Sequence, residues 1–212
     1  MAVRTRVDSD LDECVRLLEE VHRLDGYPTF WPADAAGWLS PKGMLGAWVA
    51  EDRGRVVGHV ALAEVEPGHG ADALSDATGL PPVALASMTR LFVAGASRGA
   101  GLGSSLLGQA CSAAAQCGLH PVLDVVETNR DAIRLYERRG WRRVHSEPWA
   151  DAGDEQLLLH YYVEAGRRAL SYIRSGASTP TRSRQRAITR CVARQSCRRK
   201  AWAGSSKTRH TV

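Results

Sequence analysis

The stretch that most limits what this chain can become is residues 91–107, LFVAGASRGAGLGSSLL, where an apolar strand end passes into a glycine-dense turn and then a helix of small residues. Arg98, Gly99, Gly101 and Gly103 fall within six positions, so the turn's amides carry little side-chain cover and can converge on one oxygen-rich ligand. The following helix opens at about Leu102 and directs its positive dipole end at the same spot, which makes a phosphate the natural occupant. A loop that merely turns the chain is the simpler alternative, and the flanking strand and helix argue against it. A dinucleotide fingerprint needs Gly-x-G-x-x-Gly, but the sixth position counted from Gly99 is Ser104. No Gly-Lys-Ser/Thr follows, which excludes a Walker loop.

Around the turn the hydrophobic period changes in a readable order. AVRTRV is a short strand, and DLDECVRLLEEVHRL places Leu11, Val15, Leu18 and Val21 or His22 on one helical face, with Asp10 and Glu13 as a capping pair. The β-branched runs LGAWVAED and RVVGHVALAEVE on either side of DRGR predict an antiparallel hairpin. PGHGADALSDATGLPP reads as a long loop and VALASMTRLFVA as the strand that enters the glycine turn. Beyond it, Leu102, Leu106, Ala110 and Ala113 share one helix face. PVLDVVE is then a strand, NRDAIRLYERRG a helix, and WRRVHSE and EQLLLHYYVE the last strands. This order predicts an α/β (α+β) fold with a mixed, largely antiparallel central sheet flanked by helices.

The 212 residues suffice for one well-filled core, and the charge distribution marks where it ends. From Arg167 onward lie 13 of the 28 Lys/Arg and none of the 23 Asp/Glu, leaving 15 basic against 23 acidic residues in 1–166, a net −8. Residues 167–212, rich in Arg, Ser and Thr, are expected to form a disordered basic tail with at most non-specific attraction for nucleic acid. No apolar run reaches the roughly 18 residues of a membrane helix, and the N-terminus has no apolar segment like a signal peptide's, so a cytoplasmic protein without a membrane partner is expected. Cys14, Cys111, Cys117, Cys191 and Cys197 are odd in number and contain no C-x-x-C pair, which predicts reduced, mostly buried thiols and no structural zinc. His59 and His120 read as structural, and no metal is expected.

Two stretches together resemble the GNAT superfamily of acetyl-CoA-dependent N-acyltransferases. In RLFVAGASRGAGLGSSLL, that family's Arg/Gln-x-x-Gly-x-Gly/Ala is matched by Arg98-Gly99-Ala100-Gly101-Leu102-Gly103. VVETNRDAIRLYERRGWRRV is similar to its next motif, an Asn, an apolar helix, a Tyr and a Gly-aromatic step into a strand. The likeness spans about residues 3–163 and implies a sheet splayed at its central strands, with acetyl-CoA as cofactor. It implies that the turn from Arg98 to Ser104 cradles the pyrophosphate and that the strand edge at Leu91, Phe92 and Val93 pairs with the pantetheine arm. One backbone amide there would stabilise the oxyanion. Asn129 would bond the cofactor side, though it fits a helix N-cap as well. Tyr136 matches the family's general acid to the CoA thiolate, and would contact the cofactor; the alternative is a core tyrosine beside Ile133.

Many such proteins carry a Glu on the strand before the turn, yet VALASMTRLFV holds no carboxylate. Glu64, Glu66 or a water relay through Ser87 are the remaining candidates for the base. In HRLDGYPTFWP, Tyr27, Phe30 and Trp31 sit between or beside Pro28 and Pro32 with Asp25 adjacent, which suggests a rigid aromatic rim that attracts a cation. A loop plugging the sheet is the alternative. With Asp72, Asp76 and the net −8, this favours a primary amine on a small, amino-acid-like molecule as acceptor. The other expectations kept open are a protein N-terminus or lysine as acceptor, and a non-catalytic acyl-CoA-binding module. A monomer or homodimer is expected.

Overall fold

The computed structural model describes residues 1–68, 70–149, 156–165 and 190–191. Its elements run β1 (Ala2–Thr5), α1 (Leu11–Asp25), α2 (Ala35–Trp38), β2 (Met44–Asp52), β3 (Arg55–Glu64), α3 (Ala71–Thr78) and β4 (Leu85–Val93). Then come α4 (Leu102–Gln116), β5 (His120–Val126), α5 (Arg130–Arg138), β6 (Trp141–Pro148) and β7 (Leu158–Glu164). The seven strands form one sheet in the order β1-β2-β3-β4-β5-β7-β6. Every neighbouring pair is antiparallel except β4 and β5, which α4 connects in parallel. The mixed, largely antiparallel sheet predicted from the sequence is therefore the observed one. Among the described residues, no helix is long and apolar enough to cross a membrane.

The hairpin forms as expected. Asp52 faces Arg55, and Arg53 (φ 50°) and Gly54 (φ 77°) both take the left-handed conformation that a two-residue turn between twisted strands requires. On α4, Leu102, Leu106, Ala110 and Ala113 are all buried; the small residues let the helix lie close over β3 and β4. One core cluster joins α1, α4 and Tyr136 of α5 to the sheet, and Tyr162 belongs to it. Tyr161 belongs instead to a second cluster with Leu74 of α3, because successive strand side chains point to opposite faces.

Three local expectations are corrected. The long loop after β3 contains α3, whose Ala71 and Leu74 are buried; Gly, Pro and Asp density hid its short apolar spacing. At Gly70 (φ 65°) a Cβ would lie 2.4 Å from Tyr161 Cζ, so only glycine lets the helix start press on that ring. Asp10 does not form the capping pair with Glu13: its carboxylate accepts the Val7 N–H at 2.8 Å and two bonds from Arg4 at 2.7 and 2.8 Å. Arg4 thereby holds the Asp10 carboxyl below the usual range. On α1 the fully buried face is Cys14, Leu17, Leu18 and Val21, with Leu11 and Val15 at its margin; His22 leaves it, its Nδ1 lying 2.8 Å from the Pro28 carbonyl oxygen.

The expected boundary near Ala165 follows β7 directly, and the Ala165 N–H donates to the Gly140 carbonyl at 3.1 Å. The expectation of a disordered tail lies outside the described residues, apart from Arg190 and Cys191. Cys14 and Cys111 are buried, with Cys111 Sγ 3.8 Å from Met88 Sδ; Cys117 and Cys191 are half-buried with their sulfurs 2.6 Å apart, and Cys197 is not among the described residues.

Candidate functional site

The parallel join is short. β4 and β5 pair only from Leu85↔His120 to Ser87↔Val122, although β4 continues to Val93 and β5 to Val126. Residues 88–93 of β4 therefore have an unpaired edge, and the gap opens into a cleft of about 1330 Å³. The cofactor, catalytic and acceptor residues expected from the sequence line it, Glu66 included, except Ala100 and the acidic loop residues Asp72 and Asp76. Ser87 stands at the fork where the strands part.

The β4 wall is bulged. Ala61 pairs with Thr89 but His59 with Phe92, so Arg90 and Leu91 together stand opposite Val60. Arg90 has φ 57°, uncommon for a residue with a side chain. Its guanidinium lies 4.2 Å from the Trp38 ring, Nε donating to the Trp38 carbonyl and Nη1 to Thr89 Oγ1. Phe92 differs from its neighbours: its backbone faces β3 through the pair with His59 and its ring is buried at 5.3 Å from the His59 ring. By strand alternation, Leu91 and Val93 are the residues whose backbone groups face the open edge.

At one end of the cleft lies the glycine turn. Gly99 (φ 80°) and Gly101 (φ 77°) are both left-handed, and a Cβ added at Gly95, Gly99 or Gly101 would meet no atom within 4 Å. No side chain caps α4, so its first amides are left to an external acceptor. This cradle fits a pyrophosphate. Leu102 buries its side chain in the core and has only backbone to offer the turn. Gly103 serves packing: its Cβ position is 3.3 Å from Leu135 Cδ2 of α5. The Ser104 carbonyl accepts Arg139 Nη2 at 3.4 Å. Arg130, Arg134 and Arg138, four apart on α5, line the mouth beside the turn; the sequence showed that stripe, but not that it faces the cleft.

Arg98 points away from the cradle. Its Nη1 lies 3.0 Å from Asp25 Oδ1, its Nη2 bonds Oδ2, and its Nε donates to the Val93 carbonyl at 3.3 Å. The bond to Asp25 raises the Arg98 pKa. Asp25, expected at the acceptor side, is thus tied to the turn.

The rest of the cleft is built from separate elements. Tyr136 is only 6% exposed, its ring 6.2 Å from Trp141 and 6.3 Å from Tyr162, yet it also lines the cleft, so the core and cleft readings of this residue combine. Burial, with smaller contributions from Tyr27 and Asp124, pushes its hydroxyl above the ordinary phenol range. Tyr27 belongs to the inner wall rather than the rim, with ring centroids 6.0 Å from Trp38 and 6.2 Å from Phe92. Burial raises its pKa too. Asp124 is the residue that sequence reasoning missed. It lines the cleft from β5, opposite Tyr161, and was visible as the one charged residue in PVLDVV. Glu64 closes β3 at the cleft, its pKa raised by burial. The outer rim pairs Phe30 with Trp149 at 5.5 Å, while the Trp31 ring lies tilted against that of His22 at 5.3 Å. Phe30 and Trp31 remain 45% and 41% exposed, so they do not plug the sheet. Asn129 lines the cleft, and its side chain makes no cap bond to α5.

The acetyltransferase (GNAT) family model matches residues 11–141. Among solved structures, the chain is similar to yncA from Salmonella typhimurium, determined with its cofactor acetyl-CoA: 18% identity, 86% of this chain and 98% of that one covered, TM-score 0.60. It is also similar to the ribosomal-protein-alanine N-acetyltransferase of Brucella melitensis, at 18% identity, 76% and 98% coverage and TM-score 0.57. The ribosomal-protein-S18-alanine N-acetyltransferase of Escherichia coli gives 16% identity, 76% and 90% coverage and TM-score 0.56. No curated protein matches the chain. With the family's model spanning most of the sheet and both motif helices inside it, this chain belongs to the GNAT acetyltransferase family.

Proposed function

We propose that this protein is an acetyl-CoA-dependent N-acetyltransferase that acetylates a primary amine on a small or amino-acid-like acceptor by direct attack. The observation that carries this reading is the single cleft that joins an anion cradle at residues 98–104 to a buried tyrosine and a strand carboxylate. When bound, acetyl-CoA supplies an acetyl group activated as a thioester. The amides at Gly99 and Gly101 and the start of α4 hold its pyrophosphate, with the α5 arginines nearby to balance further phosphate charge. The open β4 edge at Leu91 and Val93 holds the extended arm and presents an N–H to the acetyl oxygen.

Tyr136 remains protonated at neutral pH and gives its proton to the departing sulfur. The acceptor reaches the cleft as an ammonium and must lose a proton before attack. Asp124 and Glu64 are the carboxylates placed to take it, and Ser87 at the fork can relay it through water. Glu64 stays exposed at the end of β3, and the partial desolvation of its carboxylate raises its pKa, which favours it as a base. The aromatic pair Phe30–Trp149 and the carboxylates favour a cationic acceptor. A screen of primary amines, amino acids and N-terminal peptides with acetyl-CoA, read by mass spectrometry and thiol release, tests the proposal. Acetylation of a small amine is the expected result. Acetylation of peptides alone would reassign the acceptor to proteins, and acetyl-CoA binding without thiol release would make the chain a binding module.

A further inference from the structure

We propose that His59 is a positioning residue for acyl transfer: by gripping the Arg90 carbonyl it aims the Leu91 N–H into the cleft, toward the acetyl oxygen. The inference rests on the N-acetyltransferase reading above and adds a residue that never touches the ligand. His59 is completely buried in β3, its ring stacked on Phe92, with Nδ1 3.0 Å from the Arg90 carbonyl oxygen and Nε2 3.1 Å from Arg6 Nη1. A guanidinium can only donate, so Nε2 must accept and the proton must sit on Nδ1, facing Arg90. Arg6 is itself fixed, Nη1 donating to the Leu39 carbonyl at 2.6 Å and Nη2 to Ser40 Oγ at 2.7 Å. The clamp therefore has one protonation pattern. Burial and the opposing Arg6 and Arg90 charges keep the ring neutral, with its pKa pulled down to about 3 despite the bond to Arg90.

The Arg90–Leu91 peptide is trans, as the one cis bond among the described residues is Tyr27–Pro28. In a planar trans peptide the carbonyl and the next N–H point in opposite directions. With the Arg90 carbonyl held toward His59 on β3, the Leu91 N–H is directed to the other edge of β4, where β5 has already parted. Arg90 and Leu91 lie in the bulge, where the regular ladder does not set the peptide plane, and Arg90's left-handed φ persists only if its surroundings over-determine it. His59 supplies that determination from inside the core.

The test compares His59→Phe, which keeps a ring over Phe92 but loses both nitrogens, with His59→Asn, which restores an N–H at the Nδ1 position. Using an acceptor found in the screen, kcat should fall roughly 10- to 100-fold in the Phe variant, since the N–H is misaimed rather than removed. KM for acetyl-CoA should stay within about 2-fold, and the Asn variant should recover most of the loss. On addition of acetyl-CoA, the Leu91 amide proton resonance should move downfield, as on gaining a hydrogen bond, in the wild type and the Asn variant and clearly less in the Phe variant. Unchanged kcat in His59→Phe, or an Asn variant as slow as Phe, overturns the proposal. If the variants do not fold, nitrogen-15 spectra of the wild-type histidines decide it. A neutral ring carrying its proton on Nδ1 supports the clamp, and a proton on Nε2 overturns it. A wild type that turns over no amine is a failure of the enzyme reading alone, since the ring tautomer and the Leu91 resonance are read without turnover.

Discussion

The two ends of the cleft are made in opposite ways. The end we assign to the cofactor is one continuous piece of chain, β4 to turn to α4, and what it offers is backbone: left-handed glycines and the uncapped amides of a helix start. The end we assign to reaction and acceptor is made of side chains from separate elements, with Tyr136 on α5, Asp124 on β5, Glu64 on β3, and Phe30 meeting Trp149 across more than a hundred residues of sequence. A backbone site tolerates changes in neighbouring side chains but fails when a Cβ is added. A side-chain site does the reverse.

The largest effect should come at the reacting end. Tyr136→Phe should slow turnover by roughly 10- to 1000-fold, the scale of a lost general acid, and leave acetyl-CoA affinity unchanged by calorimetry. Turnover like the parent's across the pH range would reduce Tyr136 to the core ring it also is. Gly101→Val breaks the comparison from the other side. A β-branched residue at φ 77° is strained by about 1–3 kcal/mol, and its methyl groups enter the cradle, so acetyl-CoA affinity should fall about 10- to 100-fold. Equal affinity in a folded variant would show that the ligand does not lie against this turn.

Smaller effects sharpen the boundary between the ends. Phe30→Ala or Trp149→Ala removes an aromatic pair worth about 0.5–1.5 kcal/mol and should raise the acceptor KM by about 2- to 10-fold with no change in acetyl-CoA affinity. A matching loss of acetyl-CoA affinity would place the rim in the cofactor end instead. Asp25→Asn frees Arg98, and because such partly exposed pairs contribute about 0–1 kcal/mol, acetyl-CoA affinity should move by less than about 5-fold, in a salt-dependent way. The smallest change is expected on ending the chain after Gly166, beyond β7: melting temperature and thiol release should both hold. Loss of either would show that residues 167–212 complete the core or the acceptor pocket.

The sequence by itself determined what rests on adjacent residues and local period. The β2–β3 hairpin, the buried face of α4, the glycine turn and the Tyr136 helix were legible because φ preference, hydrophobic spacing and dipole direction act over a few residues. Tertiary structure alone decided which side chains meet. α3 was hidden among loop-forming residues and is held by Tyr161 of β7, distant from it in sequence. Asp25 met Arg98 of the glycine turn, and Trp149 joined Phe30. Asp124 became a cleft carboxylate only because β5 parts from β4 after Ser87. These meetings depend on the order in which strands enter the sheet and on where one register shifts, and no local period encodes either.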